Sequence, residues 1–148
     1  MNRNCLSYWF PKLVAADIPV PRTKLLTMPE ECRQAIWAIF DGKQSAAESA
    51  TIDAFAAQLA KLCDAVGCPC FLRTGQFSGK QSWEKTCYVT DRSELKSHVV
   101  ALAEMSECYG MFGELPWDVW AVRELLPTAA ICTLPRYGNF PLVPEVRC

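Results

Sequence analysis

The sequence predicts an α/β domain of the α+β type, with a mostly antiparallel sheet and helices packed on it. Two observations in the residues contribute to that reading. Segments with helical apolar spacing alternate with short apolar strands, a pattern that alone also permits parallel βαβ units. The predicted strands at residues 70–73 and 86–89 are joined only by residues 74–85, too short a connection for a parallel crossover. At 148 residues the chain has the usual length of one domain and can bury a core.

Residues 7–16 read as a short helix with Pro11 near its first turn. Asp17 follows where glycine is usual; aspartate tolerates the left-handed conformation better than most residues. Pro19 and Pro21 hold the chain extended into a strand at 24–27. Thr27 and Glu30 fit a capping box for the next helix, with Pro29 tolerated in its first turn. Cys32, Ile36, Ile39 and Phe40 keep helical spacing there, and Gly42 stops it. Residues 42–50 are small and polar, with a second capping pattern at Ser45 and Glu48. In the helix that follows, Ile52, Phe55, Leu59, Leu62, Cys63 and Val66 line one face, and Gly67 closes it. Asp91, with Glu94 three residues on, caps a further helix whose buried stripe is Leu95, Val99, Leu102 and Met105. Residues 117–126 alternate as a strand: Val119, Ala121, Arg123 and Leu125 share one face, Trp120, Val122, Glu124 and Leu126 the other. Further strands are expected at 129–134 and 142–147, separated by a turn at 136–139.

Hydrophobic residues make up 51% and charged residues 21%, a globular balance. A formal net charge of −1 argues against a sequence-independent grip on nucleic acid, which needs a basic field. No run approaches the roughly 20 apolar residues of a membrane span, and the N-terminus lacks the apolar core of a signal peptide. The expected location is therefore cytoplasmic. Nine cysteines, an odd number without a secretion signal, argue against a disulfide scaffold. Cys68 and Cys70 form the tightest pair, but C-x-C is not zinc-knuckle spacing and the single histidine, His98, lies far off. No metal site is expected.

Residues 68–91 hold the densest functional signal. An apolar run ends in Arg73, and a loop follows with Gly75, Gly79 and Lys80 among Thr74, Gln76, Ser78, Gln81 and Ser82, with no acidic residue before Glu84. Backbone N–H groups and cations so arranged suit an anion, and glycines let the backbone come close. Neither G-x-x-x-x-G-K-[ST] nor G-x-G-x-x-G is present, and a plain surface hairpin is the alternative. Trp83 either covers a ring or anchors the loop in the core.

Residues 13–23, LVAADIPVPRT, resemble the opening segment L-x-x-A-G-I-P-V-P-x-T of ATP-grasp enzymes. Arg73 and the glycine loop follow in that family's order. Next come residues 119–127, VWAVRELLP, similar to its V-V-x-E-F-I hinge strand. Residues 144–147, PEVR, are similar to its E-F-R segment. The resemblance spans residues 6–147 and implies two parts, an opening helix with a proline-rich linker over 1–22 and a nucleotide-binding lobe over 23–148. It implies an antiparallel sheet, and ATP held by Arg73, Gly75, Ser78, Gly79, Lys80 and the hinge Glu124, Leu125 and Leu126. Arg73 stands where the family usually has lysine, and Asp17 departs from its glycine. For Arg73 the alternative is a pairing with a surface carboxylate, and for Glu124 a cross-strand ion pair. The carboxylates that hold Mg2+ in the family have no counterpart here, since Glu145 is the one carboxylate after Glu124 and the sequence ends about where a second lobe would begin. The resemblance therefore implies the nucleotide-binding portion of a carboxylate–amine or carboxylate–thiol ligase, with Mg2+ only if a second lobe completes it. The alternative is a non-catalytic accessory protein that binds a partner or further copies of itself.

Overall fold

In the computed structural model, which describes residues 3–43, 45–110 and 116–144, four strands form the main sheet. They are β1 (Thr23–Thr27), β2 (Cys70–Thr74), β3 (Tyr88–Val89) and β4 (Val119–Glu124), in the order β1-β4-β2-β3, with every pair antiparallel. A separate hairpin pairs β5 (Cys132–Leu134) with β6 (Phe140–Leu142). The helices are α1 (Leu6–Ala15), α2 (Glu30–Phe40), α3 (Ala46–Val66), a single turn α4 (Trp83–Thr86) and α5 (Leu95–Gly110). This is the predicted class, a mixed α+β domain on an antiparallel sheet.

The strand alternation of β4 explains why the sheet is covered on both sides. Trp120 and Val122 face the main core with Leu72 and Cys70 of β2, against Ile52, Phe55 and Leu59 of α3 and Leu95, Val99 and Leu102 of α5. Ala121 faces the other way and packs with Leu6 and Phe10 of α1, with Leu25 alongside. Ile52, Phe55, Leu59, Cys63 and Val66 of α3, Leu95, Val99 and Leu102 of α5, and Val119 and Val122 of β4 are buried; Leu62 and Met105 are partly exposed, Leu62 packing at the edge of the core.

Several local readings hold. Asp17 adopts φ 54°, the left-handed cap expected in place of glycine. Ser45 and Glu48 form a complete capping box at the start of α3. Others are corrected. Pro11 lies inside α1, past its first turn, because the helix already starts at Leu6, whose N–H donates to the Gly75 carbonyl at 2.8 Å. Thr27 does not cap α2: it is the last residue of β1, and Pro29 holds the N-cap position with no side-chain bond. Asp91 caps a 3-10 turn (Arg92–Glu94) that leads into α5, its carboxylate accepting from Ser93 N–H at 2.8 Å. The return strand begins at Tyr88 rather than Thr86, because residues 80–86 coil into a 3-10 turn and α4. The last hairpin is shorter and shifted, with β6 already paired from Phe140; the part of the expected strand from 145 onward lies outside the described residues.

Candidate functional site

The face of the sheet that α1 leaves uncovered becomes the floor of a pocket. Arg73 and Phe71 of β2 and Arg123 of β4 stand on it together, since Phe71 pairs with Arg123 and Arg73 with Ala121. Gln76, Phe77, Ser78, Lys80, Gln81 and Trp83 form one wall, and Glu124, Leu125, Leu126 and Thr128 with Phe140, Pro141 and Val143 form the other. The pocket is open to solvent and has a volume of about 500 Å³, within the range of small-molecule sites.

Of the predicted site residues, Arg73, Ser78, Lys80, Glu124, Leu125 and Leu126 all line this pocket. Their charges are unevenly disposed. Arg73 uses its Nε on the Thr74 carbonyl (3.0 Å), and Arg123 donates its own to the Thr23 hydroxyl (3.2 Å). Neither arginine has a carboxylate partner among the described residues. The surface-carboxylate alternative for Arg73 is therefore not what forms. Burial, and next the charge of Arg123, lowers the Arg73 pKa; burial likewise lowers that of Arg123. Both are the marks of cations held out of water without a counter-charge. Lys80 reaches over the Phe140 ring, 5.5 Å from its centroid. The Gln76 side-chain amide nitrogen is buried and has no hydrogen-bond partner among the described residues.

Gly75 and Gly79 are different. A Cβ on Gly75 would lie 2.5 Å from Cys5 Sγ, and the Gly75 N–H donates to the Val119 carbonyl at 2.7 Å. A Cβ on Gly79 would lie 2.6 Å from Leu102 Cδ1, and the Gly79 carbonyl accepts from the Thr86 hydroxyl at 2.6 Å. Neither glycine lines the pocket. They let α1 and α5 approach the loop, so the phosphate-cradling role expected of them is replaced by a packing one.

Glu124 is also reassigned. Arg22 holds its carboxylate, Nε to Oε2 at 2.6 Å and backbone N–H to Oε1 at 2.7 Å, so the cross-strand ion pair is the arrangement that forms. These hydrogen bonds from Arg22 lower the Glu124 pKa. A carboxylate whose folded pKa is depressed adds stability above its unfolded value, and that increment is lost as pH falls through the folded pKa. In Glu124→Gln this acid-dependent increment should vanish, so melting at neutral pH should drop while melting at strongly acidic pH stays that of wild type. Melting curves at both pH values check this.

Trp83 is 7% exposed, stacked on Tyr88 at 5.1 Å between ring centroids and edge-on to Phe140 at 5.2 Å. It anchors the loop and at the same time presents one edge to the pocket. Gln76 is one of the loop donors read from the sequence, whereas Arg123 is not among the expected site residues. The two-residue period of β4 already put Arg123 and Glu124 on opposite faces; what it lacked was the register that sets Arg123 beside Arg73.

Comparison with protein families, curated proteins and solved structures finds no match to the chain. The pocket must be read from its own chemistry. It offers three cations, one buried amide donor, an aromatic rim and a single lining carboxylate that is already paired. That donor set does not fit Mg2+, a hard cation that needs several oxygen ligands. No helix among the described residues is long and apolar enough to cross a membrane.

Proposed function

We propose that the chain is a nucleotide-binding unit whose pocket takes a polyphosphate on Arg73 and Arg123, with Lys80 at the mouth and the ring system against Phe71, Phe140, Leu125 and Leu126. The supporting observation is the pair of half-buried arginines side by side with no carboxylate partner among the described residues. Two desolvated guanidiniums oppose each other, and an anion that accepts planar, paired hydrogen bonds relieves both at once. The aromatic and aliphatic rim suits a flat ring rather than a bare ion. Glu124, engaged by Arg22, leaves base selection to backbone groups and shape. This unit binds; the carboxylates for ligase chemistry would have to come from elsewhere, in keeping with ATP-dependent ligation only if a second lobe completes the site.

Calorimetry of the folded protein with ATP, with inorganic triphosphate and with adenosine tests the reading. ATP should bind most tightly, triphosphate more weakly and adenosine weakest. Arg73→Ala and Arg123→Ala should each cost about 1.5 to 3 kcal/mol of affinity, roughly 10- to 150-fold. Lys80→Ala, at an exposed position, should cost about 1 kcal/mol or less. No heat and no melting shift with any of the three ligands would sink the proposal and favour the accessory, partner-binding reading.

A further inference from the structure

The turn between α3 and β2 brings three cysteines to one point. Cys63 lies in the last turn of α3, Cys68 follows Gly67, whose φ of 94° turns the chain back, and Cys70 opens β2. Their Sγ atoms all lie within 4.8 Å of one another, and those of Cys63 and Cys70 are 3.6 Å apart. A disulfide would hold two sulfurs about 2.05 Å apart and leave the third aside. Thiolates around one tetrahedral ion at about 2.3 Å stand about 3.8 Å from each other. The Cys63–Cys70 separation is already close to that value.

We propose that Cys63, Cys68 and Cys70 form a binding site for a thiophilic metal ion of the Zn2+ and Cu+ kind, with one coordination position open towards solvent. Soft thiolate sulfur selects these ions over hard cations. Cys63 and Cys70 are buried and Cys68 is exposed, so the ion enters on the Cys68 side and displaces thiol protons to solvent. Three thiolates on a divalent ion carry net negative charge. Arg92 and Asp64, paired at 2.5 Å, act on Cys63 in opposite senses, Asp64 the more strongly, so this ion pair does not offset it. The expectation of no metal rests on the spacing of Cys68 and Cys70 and on the distance of His98. The third sulfur comes from the preceding helix, and only the turn at Gly67 puts it in reach.

The test uses the full chain, reduced with a phosphine and freed of metal. Titration with Co2+ should develop intense thiolate-to-metal absorption that saturates at a single equivalent and is discharged by Zn2+; Cu+ should bind in competition with a chromophoric chelator. Cys68→Ser, at an exposed position that leaves the core untouched, should weaken binding by more than about 100-fold, beyond the range that outer-shell changes alone produce. Cys108→Ser and Cys132→Ser, also exposed but away from the cluster, should bind as wild type. A folded wild type that takes up neither Co2+ nor Cu+, or a Cys68→Ser protein that binds as tightly as wild type, overturns the proposal.

Discussion

Phe55→Ala should destabilise the protein by about 3 to 5 kcal/mol, enough to lower Tm by about 10 °C or more. Phe55 is 1% exposed, and its ring meets that of Trp120 edge-on at 5.7 Å between centroids. The pair joins α3 to β4, an inner strand of the sheet. Truncation removes the ring from water-free packing and leaves a void lined by Trp120, a residue too constrained by its own strand to fill it. Since a domain of this size holds together by only about 5 to 15 kcal/mol, one side chain carries a large share. Chemical denaturation checks the value, with exposed Val14→Ala as the control expected to stay within about 0.5 kcal/mol. A Phe55→Ala protein that melts like wild type would place this helix face in solvent.

Gly79→Ala should cost about 2 to 5 kcal/mol, from two separable sources. A non-glycine residue at φ +64° pays roughly 1 to 2 kcal/mol for the left-handed backbone. The added methyl would also press on Leu102 Cδ1 at 2.6 Å and on Thr86 Cβ and Oγ1 at 3.1 Å. Leu102 is wholly buried and Thr86 is bonded to two carbonyls, so neither gives way freely; overpacking of this sort adds roughly 1 to 3 kcal/mol. Gly42→Ala supplies the comparison: its φ is +70° but nothing lies within 4 Å, so only the backbone cost should appear. Equilibrium unfolding of both variants separates the two contributions. Equal losses at the two positions would show that the approach of α5 does not require glycine.

The sequence made the helices and the core easy to read because each rests on local periodicity. The stripe on α3 and the box at Ser45 and Glu48 need no knowledge of distant residues. Two glycines and a lysine between strands suggested a phosphate loop, yet Gly75 and Gly79 answer to Cys5 and Leu102, partners far along the chain that no local pattern announces. Likewise Glu124 is taken by Arg22, a residue 102 positions away. Arg73 and Lys80 did fall in one pocket with Leu125 and Leu126, because strand-end and loop positions are set by short-range geometry. Arg123 and the Cys63 thiol became functional candidates only through register and a turn, both tertiary facts.

The place of β4 in the sheet has a consequence for how the chain comes together during synthesis. β4 lies between β1 and β2, yet it is translated after both. Until Val119–Glu124 leaves the ribosome, β1 has no strand to pair with, and β2 has only the two-residue contact with β3. Helices α2, α3 and α5 have local order to draw on in the meantime, but the floor on which Arg73 and Arg123 stand does not exist. Such late, long-range closure is entropically slow. The sheet and the pocket therefore arise together, at the end, from a nascent chain whose N-terminal strand has been waiting with its backbone groups bound to water.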